Sequence, residues 1–244
     1  MRTMLRTALP AVAGVAAAAL LLAPSAMARQ YEVSIENLTE GQALTPPVIA
    51  THRGRHQVFE VGRPASVGVR EIAENGNALP LLAQLTADPF NRITAFAEST
   101  GGPLVPGGTP GSAMFADEAT LTIRGRARDR LSWVSMLVCT NDGLTGVDSL
   151  RLPHKVGRSV GARTDAYDAM TEANTEDYAD IVPPCQALIG DSSGEPGTGA
   201  SNPALAEGGV IAHHEGIDGT IGDLDAAIHG WTDPVARIRV ERTG

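Results

Sequence analysis

The sequence predicts a mainly β fold, an antiparallel β-sandwich with a few short helices and long loops. Three observations carry this. Tyr31-Glu32-Val33-Ser34-Ile35-Glu36-Asn37-Leu38, the stretch from Glu118 to Arg126, and Val235 to Val240 alternate apolar and polar residues with the period of a half-buried strand. The most apolar run beyond the first 28 residues, Leu131 to Thr140, is bounded by turn residues and has the length of a strand buried on both faces. Clusters of Gly and Pro, such as Gly101-Gly102-Pro103 and Pro106-Gly107-Gly108-Thr109-Pro110-Gly111, punctuate the chain between such segments.

The elements follow in order. Residues 1–28 read as a signal peptide rather than as part of the fold. Arg2 and Arg6 give a basic start, Ala8 to Ala23 an apolar stretch shorter than a membrane span, and Ala26-Met27-Ala28 a cleavage signal. The expected mature chain, 29–244, forms one domain, has no transmembrane segment, and is secreted or periplasmic. A strand over Tyr31–Leu38 is broken by Pro46-Pro47. Helices are expected over 65–75 and 79–87, the second stopped near Pro89, and 92–97 reads as a strand or a helix end. Val147–Leu152 and Gly209–Ala212 complete the strands. Residues 163–180 read as an acidic loop and 189–203 as a Gly/Ser/Pro-rich loop.

Charge narrows the function. The chain has 28 acidic and 19 basic residues, which excludes nucleic-acid binding through a generally basic surface. Two cysteines exclude a four-thiolate zinc site. In an exported protein they predict one disulfide, Cys139–Cys185.

Six carboxylates between Asp165 and Asp180, with no basic residue among them, carry the main chemical signal. Like charges this close must spread into solvent or share a cation. Calcium takes six to eight oxygen ligands of these kinds. No EF-hand loop is present, so a calcium site has to be assembled from separate loops; a solvated acidic loop is the plain alternative.

Two other motifs point to other chemistry. Gly190-Asp191-Ser192-Ser193-Gly194 has the G-x-S-x-G spacing of a hydrolase nucleophile, with His52 or His214 as a candidate base. The Glu-Pro-Gly run that follows cannot form the helix such an elbow needs. His213-His214 and His52-x₃-His56 suggest zinc, but neighbouring residues on a strand face opposite ways.

Several segments together resemble the bacterial spondin-domain proteins, related to the amino-terminal domain of F-spondin and mindin. They are Tyr31 to Thr39 with Leu44-Thr45-Pro46-Pro47, Phe59 to Ser66, Ile72-Ala73-Glu74-Asn75-Gly76, Ser135-Met136-Leu137-Val138 with Thr140-Asn141-Asp142-Gly143, Asp168 to Asn174, and Pro234 to Ile238. The resemblance implies a calcium-binding β-sandwich without enzymatic activity that makes adhesive contacts with a protein or surface partner. It places the metal ligands at Asp142, Asp168 and Glu172, with Asp148 and Asn174 beside them. Met170 stands where the family usually has glycine. The rival expectations are a serine hydrolase using Ser192 and a metal-free structural protein of the cell envelope.

Overall fold

The computed structural model describes residues 28–54 and 58–244. The signal-peptide reading and His56 lie outside the described residues. Among those residues no helix is long and apolar enough to cross a membrane.

Among the described residues ten strands form two antiparallel sheets. The four-stranded sheet has the order β4 (Glu118–Gly125), β1 (Arg29–Asn37), β10 (Ala236–Arg242), β7 (Ser159–Thr164). The six-stranded sheet has the order β3 (Ile93–Glu98), β2 (Val48–His52), β5 (Arg130–Met136), β6 (Gly143–Arg151), β8 (Ala166–Asp168), β9 (Ala212–His213). The fold is therefore the expected mainly β sandwich. Its alternating strands behave as their period requires: β10 buries Ala236, Ile238 and Val240 and exposes Arg237 and Arg239.

The core has two layers because β5 is covered on both sides. Leu131 and Trp133 face the four-stranded sheet and pack with Tyr31, Val33, Ile35 and Ile238. Val134 and Met136 face the other way, into a second cluster closed by helices. Helix α1 (Val67–Asn75) starts at Ser66, whose hydroxyl accepts from Val69 N, and ends at Gly76 with φ 63°. It presents Val69, Ile72 and Ala73, one helical face, to that cluster. Helix α2 (Leu79–Ala87) adds Leu81 and Leu85, one turn apart. A third helix, α3 (Pro184–Ile189), carries Cys185, and α4 (Ala226–His229) is a single turn.

Cys139 and Cys185 form the expected disulfide, with Cα atoms 5.1 Å apart. It ties the end of the β5 segment to α3 across 46 residues.

Several elements differ from the sequence reading. β2 follows directly on Pro46-Pro47, where the prolines masked a strand whose five residues are all buried and so do not alternate. The segment read as an acidic loop begins with β7 and contains β8. Gly161 in β7 is held against β10, where a Cβ would come 2.8 Å from Ile238 O. Helix α3 sits behind Pro183-Pro184, which occupy its start, where a missing N–H costs nothing.

Candidate metal centre

The centre is built on the turn between β5 and β6. Thr140 Oγ1 donates to Leu137 O (2.7 Å) and accepts from Gly143 N (2.8 Å). Gly143 has to be glycine, since a Cβ there would meet Thr140 Oγ1 at 2.5 Å. The turn is zipped to the segment after β8. Ala169 N donates to Asp142 O (3.2 Å). Asn141 Oδ1 accepts from Thr175 N (3.1 Å), and its Nδ2 donates to Thr175 Oγ1 (3.1 Å).

Asp142 is fully buried. Its Oδ2 accepts three bonds, from Thr171 N (2.6 Å), Thr171 Oγ1 (3.0 Å) and Glu172 N (3.0 Å). Its Oδ1 is equally buried and has no hydrogen-bond partner. Burial pushes the carboxyl up to about 7; the Asp168 charge adds to this, and the three donors oppose it.

Asp168 ends β8, also buried. Its Oδ1 accepts from Met170 N (2.6 Å) and its Oδ2 from Asn174 Nδ2 (2.7 Å). Met170 takes φ 54°, the left-handed conformation that favours glycine. The tight turn after Asp168 is thus kept with a methionine in it, and Met170 O accepts from Gly209 N (2.8 Å).

His214 follows β9. It is buried, packs edge-on against Trp231 with centroids 4.9 Å apart, and feels the Asp168 charge. Burial pushes its pKa down. Its Nδ1 accepts from Gly216 N (3.0 Å), so the neutral ring carries its proton on Nε2, which has no partner. A protonated Nε2 has no lone pair to give a metal. Asp142, Asp168 and the Asn174 amide carry oxygen, the donor atom of hard cations.

The structure therefore brings together Asp142, Asp168 and Asn174. It does not bring Asp148 or the Glu172 side chain to them. Asp148 lies six residues along β6 from Asp142, roughly 20 Å in an extended strand. There its Oδ1 accepts from Ser132 Oγ (3.1 Å) and Ser149 Oγ (2.9 Å). Glu172 gives Asp142 its backbone N–H while its side chain turns to the 201–202 segment, where Asn202 N donates to its Oε1. Burial raises Glu172 to about 7; the Asn202 bond opposes this, and Glu74 and Asp180 push it further up.

Of the remaining carboxylates of the acidic stretch, Asp180 lies near Glu172, where Asn202 Nδ2 donates to it (3.2 Å), and the others separate. Asp165 is exposed. Glu176, buried, accepts from Asp218 N (2.9 Å) and Gly219 N (2.8 Å). Asp177 caps a short helical turn by accepting from Ala179 N (2.9 Å). Backbone N–H groups thus absorb much of the repulsion that the sequence assigned to a cation. Thr171, which supplies two of the three bonds to Asp142, had no signal of its own in the sequence.

The other candidate sites are not assembled among the described residues. Ser192 Oγ donates to Gln186 Oε1 and accepts from Gly194 N (3.0 Å). His52 Nε2 is bonded to Ser132 Oγ (2.8 Å), and His214 to Gly216. No serine–histidine pair forms at Ser192. His213 and His214 diverge as strand neighbours do: His213 is exposed and bonded to Asp233 Oδ2 (2.6 Å). Cys139, Cys185 and His229 have ligand atoms within 4.8 Å of one another, but the two sulfurs are bonded together and offer no thiolate.

The chain matches no protein-family model and no curated protein.

Proposed function

We propose that this chain is an exported, non-enzymatic β-sandwich that binds one calcium ion at Asp142 and Asp168 and uses the ordered loops of that end for contact with a surface or protein partner. One observation carries the reading: Asp142 Oδ1, fully buried and without a partner, beside a second buried carboxylate. A buried charge without a counter-charge costs several kcal/mol, and a cation removes that cost. The donor set fits a hard ion. Asp142 supplies Oδ1, Asp168 keeps further lone pairs on both oxygens, and Asn174 offers its amide oxygen once the carboxamide turns over. The protonated Nε2 of His214 argues against zinc, which favours nitrogen and sulfur. Water would complete the coordination, as is common for calcium.

What calcium would supply is charge. Every other part of the centre is held by the chain: Thr171 and Glu172 orient Asp142, and Met170 N orients Asp168. The ordering of 168–176 is thereby coupled to the turn at 140–143, which gives a cation leverage over the end of the sandwich. The contact role rests on the resemblance to spondin domains and on the disulfide, which suits an oxidising compartment. The test is thermal unfolding with calcium, magnesium or matched sodium chloride. A calcium-specific rise supports the site. Equal shifts in all three would leave a metal-free structural protein with Asp142 protonated.

A further inference from the structure

The two ends of the sandwich carry opposite charge, and the strand register shows it. Arg130 pairs with His52 of β2 and with Arg151 of β6. Arg29 lies opposite Gly125, and Arg242 opposite Tyr31. Arg53 N is bonded to Arg92 O (2.9 Å) beside the end of β2. All of these positions lie at the end of the strands away from Asp142 and Asp168.

The connections at this end are rich in cations. The turn from β4 to β5 holds Arg126 and Arg128 between Arg124 and Arg130. The connection from β6 to β7 holds Lys155 and Arg158 after Arg151, the last residue of β6. With Arg29, Arg53, Arg92 and Arg242, eleven of the chain's nineteen basic residues gather at one pole. Within the connections themselves the carboxylates are Asp88 and Asp129, each accepting a backbone bond, from Ile93 N and Arg126 N (both 2.7 Å); Glu32, Glu241 and Asp148 lie on the adjoining strands, Glu241 paired with Arg239 and Asp148 with Ser132. An acidic protein thus has a strongly basic end. The opposite pole is roughly 30 Å away along a nine-residue strand, well beyond the Debye length of about 8 Å, so its carboxylates do not cancel this field.

Two connections at this end, α2–β3 and β6–β7, expose large apolar side chains. Phe90, before β3, is 70% exposed, and Val156, between Lys155 and Arg158, is 60% exposed. The Arg92 guanidinium lies 5.1 Å from the centre of the Phe90 ring. Apolar tips set among arginines suit an interface with a charged outer layer and an apolar interior.

We propose that this basic pole docks on an anionic phospholipid bilayer, with Phe90 and Val156 entering the headgroup layer and the surrounding arginines holding lipid phosphates. Arginine forms paired bonds to phosphate oxygens, and each basic residue near an anionic surface contributes roughly fivefold in partitioning. The proposal does not depend on the calcium centre, which lies at the other end.

The test is co-flotation of the purified exported protein with vesicles of phosphatidylcholine alone or mixed with phosphatidylglycerol, in EDTA. Binding is expected to the mixed vesicles only and should fall with added salt. The triple substitution Arg126→Glu, Arg128→Glu, Lys155→Glu should weaken it roughly hundredfold, and Phe90→Ser with Val156→Ser severalfold. Arg63→Glu, on the other pole, should change nothing. Circular dichroism checks that the variants, all at surface positions, remain folded. Equal binding to both vesicle types, no binding to either, or an equal loss with Arg63→Glu would overturn the proposal. Vesicle binding indifferent to the Phe90 and Val156 changes, and matched by binding to dextran sulfate, would identify a soluble-polyanion site and overturn the bilayer claim.

Discussion

Replacing Asp142 by asparagine should stabilise the metal-free protein and remove its response to calcium. Asparagine is nearly the shape of aspartate. Its carbonyl oxygen can keep the three bonds from Thr171 and Glu172, and its NH₂ takes the place of the unpartnered Oδ1, beside Asp168, as a donor. The magnitude follows from the raised pKa. A carboxyl moved from 3.8 to about 7 favours its protonated form by roughly three pH units, about 4 kcal/mol at 1.36 kcal/mol per unit. That figure already includes the opposing pull of the three donors.

The sign runs with pH. The folded state holds the proton more tightly than the unfolded state, so stability falls as pH rises between about 4 and about 7, and the full penalty is present above 7. In EDTA at pH 8, Asp142→Asn should therefore raise the melting temperature by about 10 °C, at roughly 2–4 °C per kcal/mol for a chain of this size. At pH 4 the two proteins should melt together. In calcium the order should reverse, because only the wild type gains RT ln(1 + [L]/Kd), about 2.7 kcal/mol for each hundredfold excess over Kd at low occupancy of competing sites; a Kd in the micromolar range under millimolar calcium brings the wild type level with or above the variant. Differential scanning calorimetry across these conditions is the assay. An Asp142→Asn protein that melts lower than wild type in EDTA at pH 8, and still responds fully to calcium, would refute the reasoning.

Other outcomes follow from the same geometry. Calcium affinity, measured by titration calorimetry, should fall about tenfold per pH unit below 7 as Asp142 takes its proton, and level off above 7. Gly143→Ala forces a Cβ to within 2.5 Å of Thr140 Oγ1, so it should cost about 1–3 kcal/mol in denaturant unfolding and weaken calcium binding by displacing Asp142. Removing the disulfide with Cys139→Ala and Cys185→Ala opens a loop of 46 residues and should cost up to about 4 kcal/mol. Ser192→Ala should leave melting unchanged, and a fluorophosphonate should not label Ser192.

Much of the fold was legible because the residues that build it alternate. β1, β4 and β10 bury every second side chain against the facing sheet, and their pattern can be read directly. Helix α1 was legible from Val69 and Ile72-Ala73, which the structure turns to one face. β2 was not, because a strand buried on both faces has no period and its prolines read as a break. α3 was hidden for a related reason, since prolines that seem to forbid a helix are well placed at its first positions. The juxtaposition of Asp142 and Asp168 was legible in part. Asp142 stands at a sharp turn that Asn141 and Gly143 mark, whereas the turn after Asp168 carries Met170 and no glycine. Asp148 and Glu172 share the charge but not the direction, and direction depends on tertiary contacts: a hydroxyl from Ser132 takes one, and the backbone of Asn202 takes the other.

The central claim is a single calcium ion held by Asp142 and Asp168, and direct metal binding tests it. Equilibrium dialysis of the purified protein against calcium, with bound metal counted by elemental analysis, should give one ion per chain. Asp142→Asn or Asp168→Asn should abolish it, whereas Asp148→Asn and Glu172→Gln should retain it. No bound calcium in the wild type, or an ion lost with Asp148→Asn but kept with Asp142→Asn, would contradict the account.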